Sequence, residues 1–116
     1  MTYGQMLMGI VCVLMVSGGQ VLFKVLGLRL HSTASLLEPR TLAIAAIAFF
    51  IYIGASLLWV WLLRTVPLSR AYPFTAGTLV LVPLLSVWLL NESVSMTYMG
   101  GAALVIAGVA LIATDA

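Results

Sequence analysis

Eight charged residues, and the gaps between them, decide what this chain can become. Lys24, Arg29, Glu38, Arg40, Arg64, Arg70, Glu92 and Asp115 are its only Lys, Arg, Asp and Glu side chains. Between them lie charge-free runs at residues 1–23, 41–63, 71–91 and 93–114, each 21 to 23 residues long. About 20 apolar residues carry a helix across a hydrocarbon core roughly 30 Å thick, so each run is long enough for one span. Composition agrees. Hydrophobic residues make up 64% and charged residues 7% of the 116, against roughly 45–50% and 25% in soluble domains. A soluble fold of this size buries only about two-thirds of the surface its chain exposes, which leaves too much apolar area in water. The expectation is an all-α integral membrane protein, a single membrane domain over residues 1–116 built as a four-transmembrane-helix bundle.

The spans are expected at about residues 6–25, 42–63, 71–90 and 96–113. Short connections make consecutive helices antiparallel neighbours, with one substantial loop between Arg29 and Arg40. Pro39 suits the first turn of the second helix, where a missing N–H costs nothing. Thr65 or Ser69 is expected to cap the third helix and Ser95 the fourth. Pro73 fits a first helical turn, whereas Pro83 lies too deep for that and is expected to remove a backbone bond and kink the helix.

The same charges exclude several functions. Four spans leave no room for a nucleotide-binding domain. A net charge of +2 from five scattered basic residues is not a nucleic-acid-binding patch, so no nucleic-acid partner is expected and the basic groups more naturally meet lipid phosphates. The first run lacks a basic leading segment and carries its first charge, Lys24, on the far side, unlike a cleavable signal. Cys12, the only cysteine, lies within the first span and forms no intrachain disulfide. His31 falls in the first loop, and Glu38, Glu92 and Asp115 lie near span ends. No carboxylate pair or metal cluster can be set within the membrane, so neither catalysis nor a metal or cofactor is expected. Gly18-Gly19 and Gly100-Gly101 sit inside apolar helices, where glycine allows close helix packing rather than phosphate binding.

Polar residues inside a span are expensive and mark a pathway by default. Ser17, Gln20 and Lys24 share one face of the first helix by their three- and four-residue spacing. Either Lys24 snorkels to the headgroups while Gln20 bonds a neighbouring helix, or the face lines a polar vestibule; the depth of Gln20 favours the second. Arg64, Arg70, Tyr72 and Pro73 form a second cluster at the start of the third span. It reads equally as an anion site, since the arginine fork suits phosphate, and as an aromatic belt with arginines anchored to headgroups. On the fourth helix Gly100, Ala103, Ala107 and Ala110 make a small-residue stripe, with Gly101 and Gly108 beside it. Such stripes permit close packing in lipid, and four helices are too few to enclose a sizeable path, so a functional dimer is expected. Lys24, Arg29 and Arg40 flank one membrane face and Arg64 and Arg70 the other, and three against two gives the positive-inside rule almost nothing to act on.

The order Gly19-Gln20-x-x-x-Lys24, Val66-Pro67-x-x-x-Ala71-Tyr72-Pro73, Leu90-Asn91-Glu92-Ser93-Val94-Ser95 and Gly100-Gly101-x-x-x-Val105-Ile106-x-Gly108-Val109 resembles the drug/metabolite transporter superfamily in its four-helix, small-multidrug-resistance-like form. The resemblance covers nearly the whole chain. Small multidrug exporters carry a membrane-embedded glutamate two turns before the lysine; here that position is Val16, which can neither take up a proton nor pair with a cation. The pattern is more similar to the paired subunits that flip aminoarabinose linked to undecaprenyl phosphate. That similarity implies a multi-pass flippase in the bacterial inner membrane, working as a homodimer or as a heterodimer with a related four-helix subunit. The headgroup is then expected to meet Gln20, Lys24 and Tyr72, with Arg64 and Arg70 drawing the phosphate at one interface and Lys24 and Arg29 at the other. Glu92 either neutralises a basic residue or contacts a sugar hydroxyl or amine. Alternative readings are a small-molecule or multidrug exporter of the same fold and an accessory membrane subunit.

Overall fold

A computed structural model describes residues 2–33 and 38–115 of the chain. Every regular element among them is helical: α1 (Tyr3–Thr33), α2 (Pro39–Leu63), α3 (Leu68–Ala71), a 3₁₀ segment (Tyr72–Gly77), α4 (Thr78–Leu90) and α5 (Met96–Thr114). Helix α3, the 3₁₀ segment and α4 are one continuous span, so four helices are long and apolar enough to cross a membrane.

Several boundaries differ from those expected of the sequence, each for a local reason. Helix α1 continues past residue 25 to Thr33, because residues 26–33 contain no proline and a single Gly27 costs only about 1 kcal/mol. His31 is therefore in the last turn of a helix rather than in a loop, and it is exposed. The expected loop from Arg29 to Arg40 is correspondingly shorter, and its residues 34–37 lie outside the described residues. Pro39 does occupy the start of α2. The third span begins at Leu68, with Pro67 in the capping position and no side-chain cap. Thr65 instead accepts a hydrogen bond from Gln5 Nε2 at 3.1 Å. Pro73 falls within the 3₁₀ segment, where its missing N–H and its ring are incompatible with regular α-helical bonding. The α-helix then runs through Pro83, so the departure from α-geometry lies ahead of that residue. Ser95 caps α5, its hydroxyl accepting from the Tyr98 N–H at 3.0 Å.

Helices α1 and α2 form the tightest pair. Thr41, Ala48, Ala55 and Leu62 are the buried residues of α2, and their seven-residue interval keeps one narrow seam against α1. Along that seam the Cys12 thiol contacts the Ala55 carbonyl at 3.9 Å, and Phe23 packs on Phe49 with ring centroids 5.3 Å apart. The ends are tied by the Gln5–Thr65 bond and by Arg29, which pairs with Glu38 and donates from Nε to Thr41 Oγ1 at 3.3 Å. These contacts make the two helices antiparallel.

The third span runs parallel to α1 and interlocks with it through two glycines. A Cβ at Gly9 would meet the Phe74 ring at 3.1 Å, and one at Gly77 would meet Val13 Cγ1 at 3.1 Å. In lipid, where water gives helices no reason to associate, such close approach supplies the van der Waals contact that holds them. Helix α5 packs mainly on the 3₁₀ segment. The Cα envelope measures 49 × 36 × 17 Å. Two packed helices 8–10 Å apart account for about that least dimension, so the assembly is a flat slab. Much of its apolar surface is open, including Phe50 at 79% and Leu104 at 76%, as lipid-facing side chains are.

Candidate functional site

The polar face of α1 divides when the helices assemble. Ser17 is buried to 1% exposure, and its hydroxyl has no hydrogen-bond partner. Gln20 and Lys24, one and two turns further on, open onto a groove of about 680 Å³ between α1, α4 and the α4–α5 connection. Gln20, Lys24, Pro83 and Glu92 all line this groove, so four of the residues singled out in the sequence meet at one site.

Glu92 arrives there through a helix stop that the sequence reading did not use. Asn91 adopts a left-handed conformation, φ 55° and ψ 31°, which asparagine tolerates better than most residues. The turn brings the amides of Asn91 and Glu92 onto the Ser86 carbonyl. Ser86 Oγ in turn donates to the Pro83 carbonyl at 2.9 Å. Across the mouth, Ser95 and Tyr98 complete the wall from α5. The signal for the stop was an asparagine directly after an apolar run; nothing local in the sequence announced that Ser86 and Tyr98 would join the groove.

Gln20 also lines a second groove, of about 370 Å³, on the α2 side of α1. Val16 and Val13 form its apolar floor, and Tyr52, Ser56, Thr75 and Thr78 supply hydroxyls. Three of those hydroxyls donate within their own helices: Ser56 to Tyr52 O, Thr75 to Tyr72 O and Thr78 to Thr75 O, at 2.7–2.9 Å. Each keeps its oxygen available as an acceptor. Val16, the position where the resemblance would put an acid in a multidrug exporter, thus faces a groove with no ionisable carboxyl or amine in its walls.

Arg64, Arg70 and Tyr72 are not brought to either groove. Because the third span is parallel to α1 and Phe74 sits level with Gly9, Gln20 lies eleven residues further along, about 16 Å at 1.5 Å per residue. The expected meeting of Tyr72 with Gln20 and Lys24 therefore does not occur within one chain. Tyr72, Arg64 and Arg70 are exposed at the opposite end, with the Arg64 guanidinium 3.8 Å above the Trp61 ring. Arg29, expected beside Lys24 as a second cation, is engaged with Glu38 and Thr41. On α5, Gly100, Gly101, Ala103 and Ala107 are exposed and Gly108 is half-buried, and nothing lies within 4 Å of a Cβ built at any of the three glycines. Among the described residues no group of three or more His, Cys, Asp or Glu could hold a metal ion.

Four apolar spans, with a polar groove opening between the helices, define a multi-pass membrane protein. Residues 1–114 match the EamA-like transporter family, and the chain belongs to that family. It is similar to proteins named probable 4-amino-4-deoxy-L-arabinose-phosphoundecaprenol flippase subunits. With the ArnE subunit of Sodalis glossinidius it is 42% identical over 64 residues, 55% of this chain and 58% of that one; the chain thus spans little more than half of that relative. With the ArnE subunit of Hamiltonella defensa it is 32% identical over 82 residues, 71% of this chain and 74% of the relative. With the ArnF subunit of Erwinia tasmaniensis it is 32% identical over 110 residues, 86% and 87% of the two chains. No solved structure matches.

Proposed function

We propose that this chain is one subunit of a flippase that moves a polyprenyl-phosphate-linked sugar, such as aminoarabinose on undecaprenyl phosphate, across a bacterial inner membrane. The observation that carries the reading is the position of Gln20 in the walls of both grooves. Together the grooves make a polar track along α1, from Lys24 and Glu92 at one end towards the hydroxyls of Tyr52, Ser56, Thr75 and Thr78. A sugar phosphate follows such a track by exchanging hydrogen bonds while its polyprenyl chain stays in lipid. Arg64, Arg70 and Tyr72 draw the phosphate at the far end. The work is translocation rather than catalysis, and it calls on no cofactor or metal. The names of the similar proteins support the substrate class.

One chain leaves the track open on its flat side, so the functional unit is a homodimer or a heterodimer with a related four-helix subunit. The uncovered stripe of Gly100, Gly101, Ala103, Ala107 and Gly108 is the packing surface. Rocking of packed helices against one another, around the 3₁₀ segment at Pro73, alternates access as in other transporters built from repeated units.

The test is reconstitution in liposomes, alone and with any co-purifying subunit, followed by the rate at which a polyprenyl-phosphate sugar becomes accessible on the opposite leaflet. An accelerated rate in either condition is expected. Rates equal to those of empty liposomes in both overturn the proposal, and proton-driven uptake of a lipophilic cation points to a drug exporter of the same fold.

A further inference from the structure

The groove between α1 and α4 holds one cation and one carboxylate that do not neutralise each other. Lys24 and Glu92 both line it, yet among the described residues the ion pair within 4 Å is Arg29 with Glu38. Among the described residues neither the Lys24 nor the Glu92 side chain makes a hydrogen bond. Both sit where α1 passes the C-terminal end of α4. A charge near the hydrocarbon boundary is costly unless it meets water or an opposite charge, so a groove keeping two separated opposite charges is suited to a ligand that brings the complementary pair.

From this we infer that the groove selects a zwitterionic headgroup, one bearing a phosphodiester and a primary amine: Lys24 takes the phosphodiester and Glu92 takes the ammonium. The inference rests on the flippase reading and deepens it, by assigning the two ends of the headgroup to two residues. Its size is compatible, since small-molecule sites fall at about 300–1,000 Å³ and this groove is about 680 Å³. Gln20, one helical turn before Lys24 in the same groove, serves the uncharged hydroxyls. Selection follows from the geometry. An ammonium donates charge-assisted hydrogen bonds to a carboxylate, whereas an acylated amine is neutral and leaves Glu92 unmatched. A site built for a polar partner rejects the analogue that lacks it more strongly than a hydrophobic site rejects a size change. Two lipid classes carry this chemistry: an amino sugar on polyprenyl phosphate, and phosphatidylethanolamine.

The test is equilibrium binding to the purified protein in detergent free of added lipid. Its ligands are aminoarabinosyl undecaprenyl phosphate, the N-acetylated form, and phosphatidylethanolamine with its own N-acetylated form. The wild-type protein is expected to bind the amino sugar lipid at least about tenfold tighter than its N-acetyl form, the scale of one charged hydrogen bond. In Glu92→Gln that ratio falls towards one. In Lys24→Gln both ligands weaken and the ratio persists, because the phosphodiester is common to them. The wild-type comparison needs no variant to fold. A wild-type ratio near one, or a ratio that survives Glu92→Gln, overturns the inference while leaving transport of lipid-linked sugar standing. A Glu92-dependent preference for phosphatidylethanolamine over its N-acetyl form, with no binding of the sugar lipid, keeps the zwitterion site and removes the sugar from the proposed function. Binding of none of the four ligands overturns both.

Discussion

The Tyr98 hydroxyl of α5 donates to the Leu79 carbonyl of α4 at 3.3 Å, and Leu79 is the residue whose carbonyl Pro83 leaves without its usual helical donor. In a regular helix the N–H of residue 83 would bond that oxygen, and proline has none. The proline thus creates an acceptor inside the span, and the neighbouring helix supplies the donor. This pairing explains why an interior proline coexists with continuous helix from Thr78 to Leu90.

Removing either partner should expose the coupling. Tyr98→Phe is expected to cost about 0.5–1.5 kcal/mol, the range of hydrogen bonds between membrane helices. In a Pro83→Ala background, where the backbone N–H returns to Leu79, the same change should cost distinctly less. A double-mutant cycle read by detergent unfolding measures the difference. Equal costs in the two backgrounds would show that Tyr98 acts only through packing.

The interlock between α1 and the third span predicts a steric effect at Gly77. Even an alanine methyl there would stand 3.1 Å from Val13 Cγ1, tighter than ordinary contact. Gly77→Val should destabilise the protein by about 1–3 kcal/mol, the usual cost of overpacking. Val13→Ala in the same chain should recover part of the loss by vacating the space. Unfolding in increasing SDS, followed by tryptophan fluorescence from Trp59, Trp61 and Trp88, reports both.

The class of fold was legible because it depends on a coarse quantity, the spacing of eight charges. The polar face of Gln20 and Lys24 was legible for a similar reason, since a three- and four-residue spacing survives any packing. Tyr72 was misjudged because its distance from Gln20 depends on the register of two parallel helices, and that register is set by Gly9 against Phe74 and Val13 against Gly77. Neither glycine stands in a Gly-Gly pair, so neither drew attention. The α2 seam of Thr41, Ala48, Ala55 and Leu62 was not singled out in the sequence, because it lies in a helix rich in alanine and isoleucine, where small residues occur off the seam as well. Ser17 shares the face of Gln20 but is buried, because burial depends on how the neighbouring helices cover that face, which spacing along α1 does not encode.

Arg29 and Lys24 are separated by the structure into different tasks, which predicts unequal phenotypes. Arg29 ties the ends of α1 and α2 through Glu38 and Thr41, whereas Lys24 lines the groove. Lys24→Gln should reduce lipid-linked sugar transport at least about tenfold if one charged hydrogen bond is lost. Arg29→Gln should act mainly on stability, by no more than about 1 kcal/mol for a partly exposed pair. Transport rates normalised to folded protein distinguish the two, and equal losses of transport would mean that both cations bind substrate.

On α5 the small-residue stripe is left uncovered by the described residues. Gly100, Gly101 and Gly108 have open space where a side chain would begin, while Gly9 and Gly77 elsewhere are pressed against neighbours. A glycine in a lipid-facing helix with no contact loses the advantage that close approach would give, and it lowers helix propensity by about 1 kcal/mol relative to alanine. In the proposed dimer a helix from a second subunit packs on this stripe. Gly101→Leu should leave the monomer's own packing intact, because the side chain enters empty space, but should prevent the second helix from approaching. Cross-linking or single-molecule photobleaching in liposomes should show the fraction of paired subunits fall several-fold, with unfolding of the monomer in SDS little changed. An undiminished paired fraction would move the contact to another helix, and a matching loss of monomer stability would mean that α5 packs within its own chain after all.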